Sequence, residues 1–388
     1  MYNWSALVNN LFPTFAEALT AVKNADTGGD PRMLLAVLAR LPQADTRIAG
    51  LMQTRKLAVL GYDWDVVPAD DTSRAEEIAG EIKNRMIRAG LNTHFGHILG
   101  SVFYGIAGLK INWGNNLTTK ETFPTISLIP STSLIPTSSG VQIIQDEDKL
   151  TLSPADPPEQ YIIARFNPIS DVLPNYIGGI LRSCLWLSIM KHFNWQDWGK
   201  FNEMFAQPLR WAQWKRGASD EDKTTAKQAA SQIGTDAWAA VSEDVELKFI
   251  EAVRTGSIQA YSAFLEAVNS EQSILILGQT LTTELPGKTG SRAAAQVHNL
   301  VRQDIMWYDI QLLQNTINER YVNVDYRLNF NDPINLRPKF KMIIDEQVNY
   351  ESNARIVSEL KAAGVPLKKE EVYEKTGFDV PQEGDKTI

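Results

Sequence analysis

Cysteine is all but missing. Cys184 is the single one in 388 residues, which excludes an intrachain disulfide framework and fits a chain that folds in a reducing cytoplasm. It lies in an apolar helical stretch and has no sequence signature of a nucleophile. Histidine is scarce as well, with four residues. His94 and His97 sit one helical turn apart, but a metal site needs further ligands, and His192 and His298 fall in separate segments, so no metal is expected. A basic surplus is also lacking: 38 Lys and Arg stand against 46 Asp and Glu, a net charge of −8. That argues against a module that grips nucleic acid by neutralising its phosphates. No apolar run approaches the roughly 18 residues of a membrane span, so no membrane is expected as a partner. Met1, Tyr2, Asn3, Trp4 and Ser5 lack the basic start of a secretory signal, and the sequons at Asn3 and Asn116 are read as chance.

Catalytic signatures are missing too. No Gly-x-Ser-x-Gly elbow occurs. Gly287, Lys288 and Thr289 look like the end of a phosphate-binding loop, but Thr282 stands where its first glycine is needed, and no strand enters the loop. The paired carboxylates Asp70, Asp71 and Glu76, Glu77 lie in charged helix-start contexts and read as a solvated face. The expectation is a protein that is not an enzyme and needs no cofactor.

What is there is an ordinary globular composition, 44% hydrophobic and 22% charged, so a core is available. Residues 1–58 read as helical, with Leu34, Leu35, Leu38 and Leu41 on one face. Leu60, Tyr62, Trp64 and Val66 then alternate with Gly61, Asp63 and Asp65, the period of a half-buried strand. Two helices are expected between Thr72 and Ala107. Strands follow at Leu109–Trp113, Thr125–Ile129, Val141–Ile144 and Tyr161–Phe166, an antiparallel sheet after helices. Gly178 opens a long helix reaching about Phe205, apolar on more than one side through Leu181, Leu185, Ile189, Phe193, Trp195, Trp198, Phe201 and Phe205, which points to burial against neighbouring copies. Five of the ten tryptophans lie between Trp186 and Trp214, and packing at a subunit interface is the better reading of them.

An insert from Leu209 to Ile250 reads as strand, helix, strand. Ser219 and Asp222 give a capping-box start, and Val245, Leu247 and Phe249 alternate with Glu246 and Lys248. Ile258, Tyr261, Leu265, Val268 and Leu275 mark a further helix, with Glu266, Asn269 and Gln272 on other faces. A hydroxyl-rich loop runs from Gln279 to Ser291. After it Ala293, Val297, Leu300, Val301, Ile305, Tyr308, Leu312, Ile317 and Tyr321 keep to one side of a rod of about thirty residues, roughly 45 Å long. A strand at Val324–Phe330, a linker at Pro333 and Pro338, and helices near 346–363 and 368–376 complete the reading.

Three separated stretches resemble one family. They are Gln53, Thr54, Arg55, Lys56 with Trp64, Val66, Pro68; the run from Lys191 to Pro208; and Leu277, Gly278, Gln279, Thr280, Leu281, Thr282, Thr283 followed by Gly290, Ser291, Arg292, Ala293, Ala294, Val297, His298 and Asp304. Together they resemble the Mu-like branch of tailed-phage portal proteins. The resemblance implies an α+β, elongated portal-type subunit: a wing (1–170), an outer stem helix (171–208), a clip (209–252), an inner stem helix (253–278), a tunnel loop (279–291), a long kinked helix (292–325) and a short crown (326–388).

It further implies a homo-oligomeric ring of twelve copies at one capsid vertex, in the virion and, during assembly, in the host cytoplasm. Double-stranded DNA would pass without sequence preference, and an acidic or neutral lining suits a pore in which DNA must slide. The implied partners are the large terminase, the capsid protein or scaffold, and a neck or tail adaptor. The implied channel residues are Thr280, Thr282, Thr283, Glu284, Lys288, Thr289 and Arg292. Stem contacts between copies would come from Leu181, Leu185, Trp186, Phe193, Trp195, Trp198, Tyr261 and Leu265, and docking at the clip from Arg210, Trp211, Trp214, Lys215, Asp220 and Glu221. The alternatives are a ring-forming head-to-tail connector without a packaging role and, distantly, an enzyme using the Gly287, Lys288, Thr289 loop.

Overall fold

The computed structural model describes residues 12–27, 29–115, 122–137, 140–145, 148–152, 159–166, 179–205, 210–214, 217–232, 238–242, 254–280, 292–344 and 350–376. Three helices come first: α1 (Phe15–Thr27), α2 (Arg32–Ala44) and α3 (Thr46–Leu60). Leu34, Leu35, Leu38 and Leu41 are all buried, as their spacing predicts. Asp45 starts α3 by accepting from the free amides of Arg47 (3.0 Å) and Ile48 (3.4 Å), the usual work of an N-cap carboxylate.

Strand β1 (Asp63–Val67) follows, then helix α4 (Ser73–Arg88). The second expected helix of this region is broken into a 3₁₀ turn (Leu91–His94), α5 (Phe95–Ile98) and α6 (Gly100–Tyr104). Gly90 and Gly105, at φ +67° and +86°, take left-handed positions on either side of it, where a side chain would be strained. The strands do not make one sheet. β2 (Ile106–Asn115), β3 (Thr122–Ile129) and β7 (Tyr161–Arg165) pair antiparallel in the order β3-β2-β7, while β4 (Leu134–Thr137), β5 (Gly140–Gln145) and β6 (Asp148–Leu152) form a second antiparallel sheet.

Helix α7 (Gly179–Phe205) packs against α9 (Arg254–Leu277) and runs antiparallel to it, with Ser188 and Lys191 beside Gln272 and Asn194 beside Tyr261. Between them β8 (Arg210–Trp214), α8 (Asp220–Gln232) and β9 (Trp238–Ser242) form a parallel βαβ insert. The capping box is present, with Ser219 Oγ accepting from the Asp222 amide (3.1 Å) and Asp222 Oδ2 accepting from the Ser219 amide (3.3 Å). The second strand lies at Trp238–Ser242; the alternating run at Val245, Leu247 and Phe249 falls outside the described residues.

The long helix α10 (Arg292–Ile317) does not give way to a strand. A π turn (Asn318–Val322) carries it into α11 (Asn323–Asn329). The alternation of Val324, Tyr326 and Phe330 misled because Asp325, one of the residues it would put outside, is fully buried, holding Arg85 of α4 through Oδ1 (2.9 Å) and Oδ2 (3.0 Å). The buried stripe of α10 is also rotated from the expected one. Met306, Ile310, Leu313 and Ile317 are buried, whereas Leu300, Val301 and Tyr308 are 60%, 37% and 50% exposed. Asp309 lies inside the buried stripe, and apolar periodicity cannot register it.

Beyond the two prolines runs strand β10 (Lys339–Ile343), which pairs antiparallel with β1. Its other edge is closed by α10 and the π turn: Asn318 bonds the Phe340 carbonyl (2.9 Å) and amide (2.8 Å), and Gln314 accepts from the Met342 amide (2.8 Å). Helices α12 (Tyr350–Ala362) and α13 (Lys369–Thr376) end the described chain.

Replacing Arg85 by Met is expected to cost about 3–5 kcal/mol, because Asp325 then stays buried without its countercharge. The double change Arg85→Met, Asp325→Leu should recover most of that loss. Denaturant unfolding of the two variants measures both.

Candidate functional site

Several of the buried polar groups, Asp45, Arg55, Ser188, Lys191, Gln272, Ser273 and Asp309, meet where α7, α9 and α10 approach α3, at the end of α9. Helix α9 ends at Gly278, whose φ of +73° makes it a left-handed stop, with its amide on the Ile274 carbonyl (2.8 Å). Only glycine fits: a Cβ here would lie 2.7 Å from Ile305 Cδ1 and 2.8 Å from Val301 Cγ1. The third and fourth turns of α10 therefore press directly on the end of α9.

Arg55 of α3 locks this junction. Its Nε and Nη2 donate to Asp309 Oδ2 (2.7 Å) and Oδ1 (2.9 Å), and its Nη1 donates to the Ile276 carbonyl (2.8 Å). That carbonyl belongs to the last turn of α9, where helical acceptors lack partners and a cation also meets the negative end of the helix dipole. One turn earlier, Arg47 donates to Ser273 Oγ from Nε (3.1 Å) and Nη2 (2.6 Å). A second knot surrounds Asp45. Besides capping α3, its carboxylate accepts from Lys191 Nζ (2.8 Å), Gln272 Nε2 (2.9 Å) and Ser188 Oγ (3.3 Å). Helices α3, α7 and α9 thus share one buried ion pair. Gln272, expected off the packed face, is fully buried to serve it.

Of the expected channel residues, Thr280 is half-buried at the loop's start, Arg292 opens α10, and Thr282, Thr283, Glu284, Lys288 and Thr289 fall outside the described residues. Of the expected contacts between copies, Leu181 and Leu185 are 0% exposed, packed in the subunit's own core with Leu38, Ile48 and Ile276. They are withdrawn from that role, as the side of α7 they occupy is already filled. Leu265 is buried too, and Trp186 is half-buried against Phe15 at 5.2 Å. Trp198 stacks between Trp195 (5.4 Å) and Tyr261 (6.2 Å). Phe193 and Trp195 remain about half exposed.

In the insert, Arg210 and Trp211 lie in β8, Trp214 is half-buried beside the Lys227 ammonium, and Asp220 and Glu221 are exposed in the first turn of α8; Lys215 is outside the described residues. Burial pushes the Cys184 thiol up to about 12, so it stays protonated and unreactive. His97 Nε2 lies 3.1 Å from the Gly108 carbonyl and His94 Nδ1 2.9 Å from the Gly90 carbonyl. Among the described residues no group of three or more His, Cys, Asp or Glu could hold a metal, and no helix is long and apolar enough to cross a membrane.

Sequence reasoning gave no role to Asp45, Arg47, Ser273 and Asp309, and held Lys191 only as the start of a family-like run. Arg55 lay within the string Gln53, Thr54, Arg55, Lys56 that carried the family resemblance, but nothing local reveals a partner 254 residues away.

A chain from the neck of an empty gene transfer agent particle computed with C6 symmetry is similar in fold. The match covers 93% of this chain and 94% of that one, at a TM-score of 0.53 and 11% identity, so it speaks for the fold alone. The family described as the portal protein of Mu bacteriophage matches residues 35–378, and the chain belongs to it. Its relatives include the Mu-like prophage FluMu protein gp29 of Haemophilus influenzae, 24% identical over 358 residues and 90% of this chain. The portal protein of Escherichia phage Mu is 24% identical over 300 residues and 76% of this chain. The matched regions span 67% and 57% of those two proteins.

Gly278→Ala is expected to lower stability by about 1–3 kcal/mol through its strained backbone alone, and further through the clash with Val301 and Ile305. Adding Val301→Ala should return part of the loss. Thermal unfolding followed by circular dichroism decides both points.

Proposed function

We propose that this chain is the repeating subunit of a portal: a ring of about a dozen copies at one capsid vertex, through which double-stranded DNA enters and leaves. The observation that carries this reading is the family match, which spans residues 35–378. The locked end of α9 supports it. A loop that braces a sliding polymer needs fixed ends, and Arg55, Asp309 and Gly278 fix one of them.

The subunit performs no covalent chemistry and holds no cofactor. Residues 279–291 face the DNA, with hydroxyls of Thr280, Thr282 and Thr283 and the charges of Glu284, Lys288 and Arg292 at the lining. Neighbouring copies meet through the outer side of α7, where Met190 and Phe193 are 51% and 48% exposed. The insert, with its acidic turn at Asp220 and Glu221, is the end that receives the terminase and later the neck or tail adaptor. The wing, 1–170, faces capsid or scaffold.

Native mass spectrometry of the purified chain, with end views by electron microscopy, tests this. The expected result is a closed ring of about twelve copies with a central hole; a stable monomer that binds ATP overturns it. Deleting residues 209–252 should abolish binding to the cognate terminase, and retained binding removes the clip assignment.

A further inference from the structure

The chain carries a cleft of about 350 Å³ that the portal reading touches only at Trp195, one of the expected contacts between copies. It lies where the α2–α3 junction meets α7, and its walls include Phe12, Ala44, Thr46, His192, Trp195 and Gln196, with the Asp45–Lys191 pair at its base. Those two charges satisfy each other at 2.8 Å, so the cleft offers no free charge to an ionic ligand. Burial also pushes the His192 pKa down, which keeps the imidazole neutral near pH 7. What remains open is mostly apolar, above all Trp195, which is 53% exposed, with Thr46 and Gln196 as neutral polar groups.

The direction of the chain at this point says what covers it. Phe15 packs on Trp186 at 5.2 Å, and Phe12 stacks on His192 at 4.1 Å with rings 15° apart. Going back along the chain from residue 15 to 12 thus moves along α7 from 186 to 192, toward its C-terminal half. Pro13 separates this stretch from α1, because proline holds the residue before it out of the helical region. Continued beyond Phe12, that direction leads from the lip of the cleft across Trp195.

Their sequence suits that path. Trp4, Leu7, Val8 and Leu11 are spaced i, i+3, i+4, i+7, one apolar face of a helix, with Asn3, Ser5, Asn9 and Asn10 between them. Eleven helical residues extend about 16 Å, enough to pass from Phe12 over Trp195 and Gln196. The segment lies outside residues 35–378, the part shared with the family.

We propose that residues 1–11 are a strap that docks on α7 of its own chain, seating the Trp4, Leu7, Val8 and Leu11 face in the cleft and over Trp195. The outer side of α7, with Met190 and Phe193, stays free. The strap does not depend on ring formation, and it splints the half of α7 that lies beyond the subunit's own core.

Hydroxyl-radical footprinting with residue-resolved mass spectrometry tests it on the monomeric fraction. Removing residues 1–11, or introducing Leu7→Asp with Val8→Asp in the full chain, should raise oxidation of Trp195 several-fold and leave Met190 unchanged. Equal oxidation of Trp195 in all three proteins overturns the proposal. A short bis-maleimide should join Leu7→Cys to Gln196→Cys within one chain, Cys184 being buried and protonated. Bridges only between chains, giving dimers on a denaturing gel, would overturn the assignment to the chain's own helix. Both readouts hold whether or not the subunit closes into a ring, so a failure here leaves the portal reading standing, and the reverse.

Discussion

The buried pair between Arg55 and Asp309 is the contact on which the rest of the subunit depends. It ties α3 to α10, and the third donor of the same guanidinium holds the last turn of α9. Taking two such charges out of water is costly, and the attraction offsets that cost only where geometry is good and every remaining donor is used. Arginine meets the condition because its planar fork serves a carboxylate with two N–H groups and still has others to give. A lysine there would have to choose between Asp309 and the Ile276 carbonyl. The Asp45 knot repeats the design one face away, so that α3 acts as a post to which α7, α9 and α10 are all fastened.

Two consequences follow for how the molecule can move. The end of α9 is held by charge-assisted hydrogen bonds, by Gly278 pressed against Val301 and Ile305, and by Arg47 on Ser273. Displacing it by a partial rotation would break all three at once, because the contacts are short and directional. Motion at the loop base is then either absent or a concerted shift of α9 with α10. The π turn at Asn318–Val322 lies between that clamp and the Arg85–Asp325 pair, so the long helix is pinned on both sides of its one irregular turn.

Much of this was legible in the residues. Leu34, Leu35, Leu38 and Leu41 gave their helix away because a core face at helical spacing has few other readings. Ser219 with Asp222 announced its helix start, since both halves of the reciprocal bond lie within four residues. The three family-like stretches marked the class of protein. What stayed hidden was long-range. Asp325 finds its cation 240 residues back, and without knowledge of that partner its neighbours alternate like a strand. β10 was concealed by Pro333 and Pro338, which punctuate a strand as readily as a linker. Leu181 and Leu185 were assigned to a neighbouring copy because a helix apolar on several sides announces burial without saying by whom; their own subunit fills that side.

The side chains along β10 have one more effect. A strand at the rim of a two-stranded sheet ordinarily displays a row of unused amides and carbonyls, a template on which another chain's strand can grow. Asn318 and Gln314 occupy those groups with amide side chains that imitate a third strand. Where many identical copies are held at high local concentration, this matters more than it does for a dilute monomer. The Phe340 carbonyl and amide and the Met342 amide are taken before any neighbour arrives, so crowded copies find fewer groups on this rim through which their sheets could fuse into an aggregate.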